Sequence, residues 1–71
     1  MSVTFSAGAA NNGGNAVPVI KCIRQHTGLG LKEAKDYWDA SKITSQTIKV
    51  AKTDIAREFR DELRKLGCIV F

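Results

Sequence analysis

Apolar positions along this chain recur with two periods. In Ser2 to Ala7 (SVTFSA), Val3 and Phe5 alternate with small polar residues, the pattern of a half-buried strand. From Asn15 to about Thr27 the period lengthens to that of a helix. At about 100° per residue, Val19, Cys22, Ile23 and His26 share one side, and Val17, Ile20, Lys21 and Arg24 share the other. Asn15 is a good N-cap. Pro18 falls in the first turn, where its missing N–H costs nothing. Gly28 supplies the C-terminal break, and Leu29-Gly30 predicts a tight turn.

A second helix is predicted from about Leu31. It carries Leu31, Ala34 and Trp38 on one stripe, with Tyr37 at its border. Lys32, Lys35, Asp36 and Asp39 face water, and Lys32 with Asp36 forms an i,i+4 pair. Ala40 to Gln46 is a polar connection, and Thr47 to Ala51 is a second short strand with Ile48 and Val50 on one side. Thr53 is the expected N-cap of a third helix, from about Asp54 to Leu66. Its buried stripe is Ile55, Phe59, Leu63 and Leu66, with Ala56 beside them, and Arg57, Arg60, Asp61 and Arg64 lie outside. Gly67 ends that helix, and Cys68 to Phe71 forms a third strand. Residues 8 to 15 (GAANNGGN) hold three glycines and three asparagines and predict a flexible loop. Their spacing matches neither a P-loop nor a dinucleotide fingerprint. The order is strand, two helices, strand, helix, strand over a single domain, residues 1–71. Three strands bury a face only under helices, so the expected fold is α+β, a two-layer sandwich with a three-stranded antiparallel sheet covered by three helices.

Length and charge narrow the function. A chain of 71 residues has room for one core but not for a deep cleft that would hold a small-molecule substrate. Eleven Lys and Arg against seven Asp and Glu give +4, which favours acidic partners without choosing among them. There is no CxxC pair and His26 is the only histidine, which argues against a zinc site and leaves no cofactor to assign. Cys22 and Cys68 read as buried, reduced thiols of a cytoplasmic protein. No signal peptide, lipidation signal or membrane-length apolar run is visible. His26 has no acid or nucleophile partner by spacing, so an enzyme is not expected.

One helix face stands out. Val17 and Ile20, beside Lys21 and Arg24, lie opposite the core stripe: branched apolar residues rimmed by cations, the make-up of a docking surface. Val19 to Asp36 reads VIKCIRQHTGLGLKEAKD. This dense window closely resembles the C-terminal domain of the bacterial large-subunit ribosomal stalk protein, the L-seven/L-twelve family. The coarse likeness runs over nearly the whole chain, including the β-α-α-β-α-β order and a Gly before the last strand. In that family the domain is a mobile arm that recruits translational GTPases. The resemblance implies a factor-contacting surface at Val17, Ile20, Lys21, Arg24, Gly30, Lys32 and Lys35, and partners among the elongation and initiation GTPases or another acidic protein surface.

The chain departs from the family in being basic rather than acidic, chiefly through Arg57, Arg60, Arg64 and Lys65. Residues 1 to 15 supply a strand and a loop but not the family's helical dimerisation unit. The expectation is therefore a free-standing module acting as competitor, decoy or adaptor. The alternative is a small basic nucleic-acid-binding domain, whose cations would be those of both faces. Against it, Glu58, Asp61 and Glu62 are interspersed among the arginines, and few aromatics are free to stack on bases. The sandwich is also shared by the protease adaptor that delivers degradation substrates, a likeness of fold alone.

Overall fold

Alternation at the N-terminus and 3.6-residue periodicity beyond it resolve into seven elements in the computed structural model, which describes residues 1–71. They are β1 (Ser2–Ser6), α1 (Ala9–Asn12), α2 (Ala16–Thr27), α3 (Leu31–Ser41), β2 (Gln46–Lys49), α4 (Thr53–Lys65) and β3 (Ile69–Val70). The fold is α+β, with a three-stranded antiparallel sheet and helices on one face. The sheet order is β2-β1-β3. Register pairs Val3 with Ile48 and Phe5 with both Gln46 and Val70. Val3, Phe5 and Ile48 thus point together into the core, all buried. The opposite face is polar, with the Thr4 and Thr47 hydroxyls hydrogen-bonded across it at 2.9 Å. β1 is central, and the open edges are β2 and β3.

Phe5, Phe59, Ile23, Leu63, Val3 and Val19 are the largest fully buried side chains. Full burial of a side chain of this size contributes roughly 1.5–3 kcal/mol. The stripe of α4 supplies Ala56, Phe59 and Leu63, and that of α2 supplies Val19, Cys22 and Ile23. Ala34 and Trp38 bring α3 to the same core, and the Lys42 ammonium lies 5.3 Å from the Trp38 ring centroid.

Several expectations need correction. Residues 8–15 are not a loop throughout. They contain the single turn α1, and a fourth helical segment joins the three expected. Ala10 is fully buried, and its N–H donates to the Ala7 and Gly67 carbonyls at 3.1 and 3.2 Å. The small apolar residues Ala7 and Ala10 anchor a segment whose glycines and asparagines suggest mobility. The approach is close: a Cβ on Gly67, which has φ +99°, would lie 3.0 Å from the Ala10 nitrogen. Asn15 precedes α2 but does not cap it through its side chain. Its Nδ2 donates to the Leu66 carbonyl at 2.7 Å, satisfying the C-terminus of α4 instead. Thr53 is the first residue of α4, after an extended Lys52 with no side-chain cap. The Lys32–Asp36 pair does not form; the ion pairs are His26–Glu62, Lys42–Asp39 and Arg64–Asp61. Leu31 is 58% exposed rather than part of the buried stripe of α3.

Candidate functional site

The outward side of α2 follows from the inward one. With Val19, Cys22 and Ile23 pinned in the core, 3.6-residue geometry leaves Val17, Lys21 and Arg24 in solvent. Val17 is 74% exposed. Ile20 is half-buried, with its inner side packed on the core. Leu31, in the first turn of α3, stands beside them. Val17, Ile20, Lys21, Arg24 and Leu31 line one shallow groove of about 270 Å³. Lys21 and Arg24 also border a second depression, shared with Gln25, Gly28 and Leu29. The two cations therefore form a ridge between an apolar groove and a more polar one.

The turn between the helices is firmly built. Gly28 is left-handed at φ 73°, and its N–H donates to the Arg24 carbonyl at 3.0 Å. The Thr27 hydroxyl donates to the Ile23 carbonyl and accepts the Leu29 N–H at 3.3 Å. Gly30 is different. Its φ of −72° suits any residue, and a Cβ there would meet nothing within 4 Å. Neither backbone conformation nor helix packing demands a glycine at this position. What it does is leave the backbone bare at the tip, between residues that line the two depressions.

Of the seven residues named from the sequence, Val17, Ile20, Lys21 and Arg24 come together in one groove. Gly30 adjoins it at the turn. Lys32 and Lys35 are exposed on α3 but line neither depression. None of Lys21, Arg24, Lys32 and Lys35 takes part in an ion pair. Two unpaired cations, Lys21 and Arg24, thus rim an apolar groove, with Lys32 and Lys35 exposed on the neighbouring helix, a surface complementary to an acidic helix or loop with one or two apolar anchors. Leu31 was missed because its spacing with Ala34 and Trp38 mimics a core stripe. The signal that separates it is position: it opens its helix next to a bare glycine, beyond the reach of the core.

A second constellation lies on the inner side of α2. His26 Nδ1 donates to the Cys22 carbonyl at 2.9 Å, and Nε2 stands 3.9 Å from Glu62 Oε1 on α4. Burial foremost, and the Glu62 carboxylate after it, pushes the Cys22 thiol far above the ordinary range. Burial pushes Cys68 up to about 11. Both cysteines are free. A buried, protonated thiol is a poor nucleophile, and no enclosed substrate cavity adjoins it. Sequence spacing could not supply Glu62, because α4 brings it across the fold.

Comparison with known proteins matches this architecture to one family. The family model described as the ribosomal protein L7/L12 C-terminal domain matches residues 5–71. Curated relatives carry the name large ribosomal subunit protein bL12. That of Sorangium cellulosum (strain So ce56) is 46% identical over 66 residues, covering 93% of this chain and 50% of that protein. That of Blochmanniella floridana is 39% identical over 61 residues, covering 86% of this chain and 44% of the relative. The chain spans about half the length of the curated relatives it matches. No solved structure matches it. No helix is long and apolar enough to cross a membrane. The match covers nearly every element of the fold and both helices that shape the groove, and by it the chain belongs to the ribosomal protein L7/L12 C-terminal domain family, which is not a family of enzymes.

Proposed function

We propose that this domain is a protein-binding module that docks a translational GTPase, or a similar factor with an acidic surface, through α2 and the Thr27–Leu31 turn. The observation that carries the reading is the groove itself. Val17 and Leu31 are large, exposed and apolar, Ile20 lies between them half-buried, and Lys21 and Arg24 rim them unpaired. The apolar residues serve as anchors and the cations steer an acidic partner and fix its register. Lys32 and Lys35 extend the positive field along α3, and Gly30 lets partner backbone approach the tip. The surface is small, so the complex is transient and salt-sensitive. Added in excess, the 71-residue chain occupies the factor as a competitor. The setting that fits this role is the cytoplasm.

Nucleic acid is the second reading, since Arg57 and Arg60 on α4 also make no ion pair. It ranks lower because Glu58, Asp61 and Glu62 share that helix and Arg64 is paired with Asp61 at 3.6 Å. An NMR titration of labelled protein with purified elongation factors, with a short RNA and a short DNA as controls, decides between them. Docking gives shifts confined to Val17, Ile20, Lys21, Arg24, Gly30, Leu31 and Lys35 on adding a factor. Shifts spread over Arg57, Arg60 and Arg64 on adding nucleic acid, with none on adding factor, overturn it.

A further inference from the structure

Beneath the docking face, α2 and α4 bring three different metal-ligating side chains to one point. A ligand atom from each of Cys22, His26 and Glu62 lies within 4.8 Å of the other two. Cys22 and His26 are one helical turn apart on α2, so both project toward α4. The Cys22 sulfur is 3.7 Å from His26 Nδ1, and Glu62 Oε1 is 3.9 Å from His26 Nε2. Bonds of 2.0–2.3 Å in a tetrahedral zinc site place neighbouring ligand atoms roughly 3.3–3.8 Å apart. The Nε2–Oε1 separation is already near that range, while the Cys22 sulfur lies on the Nδ1 side of the ring. Closure onto Nε2 falls to Glu62, whose side chain is 47% exposed and free to turn, and to rotation of the Cys22 side chain.

The surroundings fit a metal. The Nδ1–H bond to the Cys22 carbonyl fixes the tautomer that leaves a lone pair on Nε2, the orientation typical of metal-binding histidines. Phe59 holds the imidazole plane in place, stacked at 5.4 Å. Charge also balances: one thiolate, one carboxylate and a neutral imidazole cancel a divalent cation. The Glu62 side is open to water, which supplies a fourth ligand.

We propose that Cys22, His26 and Glu62 form a zinc site that clamps α2 to α4. Binding one Zn²⁺ forms one bond each to sulfur, nitrogen and oxygen and releases the Cys22 thiol proton to solvent. The site is structural. It lies at a helix seam rather than in a cleft, and it staples a domain of a size at which one core supplies limited stability. By fixing α2 it also fixes the face that carries Val17, Lys21 and Arg24.

Cobalt(II) titration of the whole 71-residue chain under a non-thiol reductant tests this. One equivalent gives intense visible bands of tetrahedral cobalt and a near-ultraviolet thiolate charge-transfer band, and Zn²⁺ displaces both. Cys22→Ala abolishes the charge-transfer band, and Glu62→Gln, a surface change that leaves the core intact, weakens binding by about tenfold or more. Zn²⁺ raises the thermal midpoint of the unaltered chain, and a chelator reverses the rise. The proposal is overturned if no charge-transfer band appears at one equivalent. It is equally overturned if Glu62→Gln and His26→Gln bind as the unaltered chain does, or if the band survives Cys22→Ala and follows Cys68.

Discussion

His26 lies nearly flat on Phe59, with ring centroids 5.4 Å apart and planes 12° from parallel. Phe59 in turn tilts against Phe5, centroids 6.3 Å apart at 59°. One line of rings therefore runs from α2 through α4 to the central strand. His26 sits on the side of α2 opposite Lys21 and Arg24. The stack helps set the rotation of α2 about its own axis, and with it the direction in which Val17, Lys21 and Arg24 point.

Phe59→Ala removes the middle of that line. Loss of a fully buried phenylalanine costs roughly 3–5 kcal/mol, a large part of the stability of a small domain. Urea denaturation of the variant should show a midpoint near or below zero denaturant. His26→Ala, measured in chelator, should cost about 1–2 kcal/mol, because it forfeits one ring contact and one hydrogen bond at a mostly buried site.

Two glycines should separate structure from docking. A Cβ on Gly30 meets nothing, so Gly30→Ala costs only the lower preference of alanine for the N-cap of α3, about 1 kcal/mol or less. If the bare tip receives partner backbone, the same change weakens factor binding in a calorimetric titration. Gly67→Ala does the reverse. At φ +99°, with the Ala10 nitrogen 3.0 Å from the new carbon, it costs more than about 1 kcal/mol and reaches binding only through unfolding.

The groove residues should divide by kind. Ile20→Ala with Lys21→Ala should weaken factor binding by about tenfold or more and leave the fold in place, since Ile20 is only half-buried. Leu31→Ala should weaken it too, mainly through faster dissociation. Arg24→Ala should slow association and flatten its dependence on salt. Stopped-flow binding at two ionic strengths reads all three. Equal binding by the double variant would remove α2 from the interface.

Asn15 offers a test of which group it serves. As an N-cap, Ser would replace it well. As the donor to Leu66, 2.7 Å away, it has no substitute in Ser, whose side chain is shorter and carries no amide N–H. Asn15→Ser and Asn15→Ala should therefore destabilise alike, by about 1 kcal/mol in urea titrations.

Most of this architecture is legible along the chain because its signals are local. Val3 and Phe5 mark a strand by alternation, Gly28 and Gly67 mark helix ends, and Ala56, Phe59 and Leu63 mark one face of a helix. The outward face of α2 is legible for the same reason, since it is the complement of an inward stripe. What escaped is what the third dimension decides. Ala10 is buried only because Gly67 comes close. Asn15 spends its amide on a helix distant in sequence. Leu31 has core spacing but stands past the edge of the core. The meeting of Cys22, His26 and Glu62 depends on how α4 packs across α2, which no spacing rule within either helix encodes.

Cys68 makes stability fall in alkali. Its thiol is buried and pushed up to about 11, against an ordinary value of 9.0 in the unfolded chain. Between those values the unfolded chain has released the proton and the folded chain still holds it. The unfolded state binds fewer protons there, so unfolding becomes easier as pH rises. The stabilising contribution is fully present below about pH 8 and is lost between pH 9 and 11, at about 1.4 kcal/mol per unit of difference. Cys22, raised in the same direction, adds to the slope. Urea midpoints of the metal-free protein measured from pH 7 to 10.5 in chelator should decline above pH 9. The variant carrying Cys22→Ala and Cys68→Ala removes both thiols and should show a distinctly shallower decline. If the decline is unchanged in that variant, the fall does not belong to the buried thiols.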